Sequence, residues 1–112
     1  MINKEIIYAI SIATIAQVLV WFQLNGQLIS VWCKQHPWVL SICGIPISYL
    51  FILATKYGYV GFQNLWSVRL TGFAVGMMVF PFITYFMLGE GITFKSMISI
   101  FLAFCIMILQ LI

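Results

Sequence analysis

Arg69 and Gln17 are the residues whose chemistry stands out in a chain with very little charge. Charged residues make up 6% of its 112 residues, and Glu5 and Glu90 are its two acids. Arg69 stands at the head of a nearly uncharged stretch, residues 70–88, and its planar guanidinium suits an anionic group such as a phosphate. The alternative is that Arg69 lies at the edge of a membrane span and extends its charge to the lipid headgroups.

Gln17 lies near the middle of the first apolar run. An unsatisfied amide in hydrocarbon is costly, so its side chain is expected to face other helices or a wet cavity. Two roles fit this position: an interhelical hydrogen bond worth about 1 kcal/mol, or direct contact with a ligand. Ser11, Thr14 and Trp21 recur with Gln17 at spacings of three and four, so the four residues share one face of a helix.

The composition predicts the elements that must position these residues. Hydrophobic residues make up 64% of the chain, which is more apolar surface than a soluble domain of this size can bury. A span needs roughly 20 apolar residues, and backbone groups in lipid must be hydrogen-bonded within their own segment. We therefore predict an all-α integral membrane protein, with four transmembrane helices and short loops in a single domain, residues 1–112.

The breaks in the apolar pattern place the four spans at about residues 6–24, 38–55, 65–88 and 93–112. The Asn-Gly-Gln cluster at 25–27 is expected to end the first helix, and the stretch 56–61, rich in glycine and tyrosine, is expected to form the second loop. Pro37 suits the first turn of the second helix. Thr93 suits the N-cap of the fourth.

Small residues in the third and fourth spans are expected at helix interfaces. Gly72 and Gly76 in the third span, and Ser99 and Ala103 in the fourth, recur at helical spacing, which lets helices approach closely. Glu90 lies between two glycines after the third span. Its expected role is structural, at the junction between the third and fourth helices.

The lysines leave the orientation in the membrane open. Lys4 and Lys56 would lie on one side and Lys34 and Lys95 on the other, so the positive-inside rule has little to act on. Insertion in both directions and one fixed orientation both fit this balance.

No residue set points to catalysis, a metal ion, a cofactor or nucleic acid. Cys33, Cys43 and Cys105 lack the spacing of metal ligands, and no paired carboxylates or nucleophile–base set appears. The net charge of +3 includes no basic run. The first apolar run has no small-residue cleavage site and is interpreted as a retained span.

Several motifs follow one another in an order that resembles a transporter family. They are Ala16-Gln17-Val18 in the first span, Trp66-Ser67 at the head of the third, and FPFITYFMLGEGITFK at residues 80–95. The set resembles the drug/metabolite transporter superfamily, most closely its small four-helix branch, which includes the small multidrug resistance transporters. The resemblance covers nearly the whole chain. It implies a transporter of a bacterial inner membrane that works as a dimer.

The departures from that family bear on the cargo. Gln17 stands where the family has the acid that binds protons and substrate, and the family's tyrosines in the second and third helices fall on Cys43 and Gln63. Arg69 lies where the family has a glycine-rich stretch. These exchanges argue against proton-for-cation antiport. They predict a neutral or anionic solute instead.

The leading hypothesis is a small transporter or flippase-like protein that moves a small or lipid-linked solute by alternating access. Gln17, Trp21, Trp66 and Arg69 are the predicted substrate-binding residues, lining a cavity shared by two copies. The alternative is a structural or assembly subunit that does not transport and packs within a larger membrane complex or array.

Overall fold

A computed structural model describes residues 3–112, which contain six helices and no strand. The helices are α1 (Lys4–Ile29), α2 (Val31–Gln35), α3 (Pro37–Ile42), α4 (Gly44–Phe62), α5 (Leu65–Leu88) and α6 (Phe94–Leu111). Within this part of the chain, four segments are long and apolar enough to cross a membrane: α1, α3 continued by α4, α5 and α6. The predicted fold class, an all-α multi-pass membrane protein, is confirmed.

The first helix extends beyond its predicted end. α1 continues through the cluster at 25–27 and ends at Ile29, so the prediction of a break there is wrong. Gly26 is buried in α1, and a Cβ added to it would lie 3.7 Å from the side chain of Leu40. An added Cβ would make ordinary van der Waals contact there, so this glycine lies within the helix and forms no turn.

The second loop is also shorter than predicted. Residues 56–61 belong to α4, which runs to Phe62. Their glycines allow close approach of neighbouring helices, because a Cβ on Gly61 would lie 3.0 Å from the main-chain nitrogen of Ile6. The connection to α5 is reduced to Gln63 and Asn64.

Side-chain caps fix where α5 and α6 begin. Asn64 precedes α5 and accepts a 2.8 Å hydrogen bond from the backbone N–H of Trp66. Thr93 precedes α6 and accepts one of 3.2 Å from the N–H of Ser96, as the sequence predicted. Gly89 ends α5 with φ of 70°, a left-handed conformation that suits glycine. The start of α5 at Leu65 places Arg69 four residues along the helix.

The helices form a flattened layer rather than a square bundle. α1 packs against both α4 and α5, whereas α6 packs against α5 alone. The described chain measures 45 × 35 × 18 Å, and a helix with its side chains is about 10–12 Å across. The long helices contact one another in the order α4, α1, α5, α6, as neighbours within one layer. Both wide faces of the chain therefore remain open.

Small side chains hold the layer together. Ala9, Ala13 and Ala16 are buried along α1, and Ala74 is buried on α5. Ala103 is 2% exposed on α6, which packs only on α5. Small residues at such contacts let helix backbones approach closely.

The other predicted packing residue of α6 behaves differently from Ala103. Ser99 is exposed, and its hydroxyl donates to the carbonyl oxygen of Lys95 at 3.1 Å. Ser99 therefore does not pack within the described chain.

Candidate functional site

A cleft of about 710 Å³ lies between α1, α4 and α5. Its volume is within the range of about 300–1,000 Å³ that is typical of small-molecule sites. The lining is apolar or glycine except for four polar side chains: Gln17, Thr55, Arg69 and Thr71. The cleft exists because α4 and α5 both pack on α1, while they meet each other much less.

Arg69 reaches the cleft from α5, whose lining residues run from Leu65 to Phe73. It is four residues from the start of α5, which places its Cα about 6 Å along the helix. The residue is exposed and also lines the cleft. Neither Glu5 nor Glu90 lines the cleft. The cleft lining therefore holds one cation and no acid.

Gln17 reaches the same cleft from α1. Its amide lies against Gly76 of α5, where an added Cβ would be 2.9 Å from its Oε1 and 3.1 Å from its Nε2. The residue is half-buried. Within the described residues the amide makes no hydrogen bond. Its donors and acceptor remain available to a guest molecule or to water.

Thr71 is a third polar residue of the cleft, and the sequence did not single it out. It is 5% exposed, and its hydroxyl has no hydrogen-bond partner in the described chain. By contrast, the hydroxyls of Thr14 and Thr55 donate to the carbonyl oxygens of Ile10 and Phe51 within their own helices. A threonine in an apolar span gives no sequence signal that separates these two behaviours.

Trp21 and Trp66, predicted to line the cavity with Gln17 and Arg69, do not line this cleft in the single chain. Trp21 is 3% exposed, and its indole N–H donates a 2.9 Å hydrogen bond to the hydroxyl of Thr84. It joins α1 to α5 beyond the cleft. Trp66 is 77% exposed at the start of α5, the position of an aromatic anchor at a membrane interface.

The two glycines predicted to pack in the third span have different surroundings. Gly76 lies against the side-chain amide of Gln17, whereas a Cβ added to Gly72 would have no atom within 4 Å. Gly72 lines the cleft, so its missing side chain contributes open volume rather than a helix contact. The prediction of packing at Gly72 is wrong for the described chain.

Glu90 lies outside the cleft. It is exposed in the connection between α5 and α6, which agrees with its predicted place at the helix junction. Within residues 3–112, no group of three His, Cys, Asp or Glu side chains is arranged to hold a metal ion.

Comparison of the chain with protein-family models, with curated proteins and with solved structures finds no match.

Proposed function

We propose that this chain is a small membrane carrier, of the drug/metabolite transporter type, that moves a neutral or anionic solute. The observation that carries the proposal is the convergence of Arg69 and Gln17 in one cleft. An arginine without a carboxylate partner favours an anionic group. An amide without a hydrogen bond inside an apolar layer favours a guest that can satisfy it.

The charge of the cleft supports a neutral or anionic cargo. Its lining contains Arg69 and no acid, so a cation entering the cleft would meet like charge. Gln17 can exchange hydrogen bonds but carries no titratable proton near neutral pH. We therefore expect transport that is not driven by proton exchange at this residue.

The flat shape of the chain supports a carrier made of two copies. The long helices of one chain pack in the order α4, α1, α5, α6, so a second copy can cover the cleft that three of them line. Many carriers place their site near the bilayer midplane between two repeats that rock against each other. In this proposal two copies supply the two halves in a bacterial inner membrane, and Trp66 faces the partner or the interface.

Solute uptake or lipid flipping in liposomes tests the proposal. The double variant Arg69→Ala with Gln17→Ala is expected to transport at about one tenth of the wild-type rate or less, because hydrogen bonds to a charged group are among the stronger ones. Lys95→Ala is the matched control, since it removes one positive charge at an exposed position of α6 outside the cleft. Equal rates for the double variant and the wild type would remove the site assignment.

The exposed aromatic surface of α6 favours a second function, that of a structural or assembly subunit. Phe94 is 76% exposed and Phe101 64%, and α6 packs on α5 alone. A larger membrane partner could use this face. Isolation from mild detergent as a stoichiometric part of a larger complex or an array would favour this function. An isolated dimer would favour the carrier.

A further inference from the structure

The second membrane span is a broken helix. It comprises α3 and α4, and Cys43 separates the two. Pro46 follows in the first turn of α4. Because proline has no N–H, it cannot donate to the carbonyl oxygen of Ile42, its partner in an unbroken helix. α4 also begins without a side-chain cap. A helix interrupted in this way has a point at which its two parts can bend.

The side chain of Gln23, on α1, reaches into this break. Its Nε2 donates a 3.1 Å hydrogen bond to the carbonyl oxygen of Leu40, which the N–H of Gly44 would bond in an unbroken helix. A Cβ added to Gly44 would lie 2.7 Å from the same Nε2 atom. The missing side chain at residue 44 therefore makes room for an amide that binds a carbonyl of the broken helix.

The two short helices before the break are joined by aromatic contacts. The rings of Trp32 and His36 stack with their centroids 4.4 Å apart, and the Nδ1 atom of His36 lies 2.8 Å from the carbonyl oxygen of Trp32. The rings of His36 and Trp38 meet edge to face, with their centroids 6.4 Å apart. Residues 31–42, which we call the arm, therefore form one unit.

The arm is weakly attached to the body of the chain, which consists of α1, α4, α5 and α6. None of the residues of α2 and α3 is buried, and α3 packs on α1 far less than α4 does. A segment with few buried contacts opens more readily than a packed core. The hydrogen bond from Gln23 to Leu40 joins the arm to α1, and in lipid a bond of this kind between helices contributes modestly. The described position and a released position are therefore close in free energy.

We propose that the arm rotates about a hinge at residues 43–46 and that Gln23 holds it in the described position. The motion takes place outside the cleft. On α1 the cleft is lined from Ala9 to Gln17, and Gln23 lies about 9 Å further along the helix. The inference therefore goes beyond the proposed function and does not depend on the cargo.

Pulsed electron paramagnetic resonance on the protein in phosphatidylcholine nanodiscs tests this inference. Spin labels at Gln35 of the arm and Ile98 of α6, both exposed, report the distance between the arm and the body. Labels at Ile52 of α4, also exposed, and Ile98 report the body alone. The free cysteines are replaced. Labelled protein is diluted with unlabelled protein, so that distances within one chain are measured.

Gln23→Met keeps the length of the side chain and removes its donor. It is expected to raise the ratio of the released to the described arm distance about threefold to tenfold. Gly44→Ala is expected to act in the same direction, because the added Cβ would displace the amide. Gln27→Met is the matched control, since the Gln27 amide donates to the carbonyl oxygen of Leu24 within α1.

The outcomes separate a hinge from a general loss of packing. An unchanged arm distance in Gln23→Met would overturn the inference, and so would an equal change in Gln27→Met. If the distance between residues 52 and 98 changed together with the arm distance, the whole chain would be loosened, which also contradicts a local hinge. These distances do not bear on the carrier proposal, which is tested by transport at Arg69 and Gln17.

Discussion

The side-chain amide of Gln17 lies against Gly76 on the neighbouring helix. Any residue larger than glycine at position 76 would displace this amide. A Cβ at residue 76 would be 2.9 Å from the Oε1 atom and 3.0 Å from the Cδ atom of Gln17. The glycine thus sets where the amide sits in the cleft. The packing of α1 against α5 at Gly76 therefore positions one of the side chains that line the cleft.

Gly76→Ala is expected to move the Gln17 amide while leaving the fold intact, because the clashing atoms belong to the end of a flexible side chain. The free energy of unfolding in detergent should change by less than about 1 kcal/mol. Transport or ligand binding should fall several-fold. In a double-mutant cycle, Gly76→Ala should have no further effect on Gln17→Ala. Additive losses would show that residue 76 acts independently of the amide.

Thr84→Val is expected to destabilise the chain by about 1–3 kcal/mol, since it leaves the buried indole N–H of Trp21 without a partner. The bond it removes is 2.9 Å long and fully buried. Equilibrium unfolding in mixed micelles measures the change. Thr55→Val is the control, because the Thr55 hydroxyl is exposed and bonds only within its own helix. Equal stabilities of the two variants would contradict the role of the Trp21–Thr84 bond.

Gly61→Ala is expected to cost about 1–3 kcal/mol through overpacking, because the added methyl would meet the backbone of Ile6 at 3.0 Å. Gly72→Ala provides the contrast. It adds the same methyl to open space and is expected to be neutral or stabilising by up to about 1 kcal/mol. A stability ranking in the opposite order would show that α1 and α4 do not approach each other as closely as described.

The sequence was sufficient for the fold class because hydropathy and length decide which segments can cross a membrane. It was less informative about helix ends. Gly58 and Gly61 have the composition of a turn, but in lipid the same residues permit close helix packing: Gly58 lies against Val68 and Gly61 against Ile6. Local composition does not tell these two uses of glycine apart. The contacts that do so come from distant parts of the chain.

For the candidate site, charge and polarity within apolar spans led to Arg69 and Gln17, which share the cleft. Helical spacing also suggested Trp21, yet one further turn of α1 carries it to Thr84 instead. Thr71 was missed because its distinguishing property, a buried hydroxyl without a partner, arises only from packing. Residue type identifies candidates, and the neighbouring helix decides which of them face the cleft.

The central claim, that Arg69 and Gln17 line a solute-binding cleft that water enters, is tested most directly by thiol labelling. Gly72→Cys and Phe101→Cys each lie seven residues in from the start of their helices. The background replaces the free cysteines Cys33, Cys43 and Cys105. In phosphatidylcholine liposomes, we predict that a water-soluble maleimide labels residue 72 and not residue 101, because the reactive thiolate requires water. Labelling of residue 101 alone, or of neither, would contradict the account.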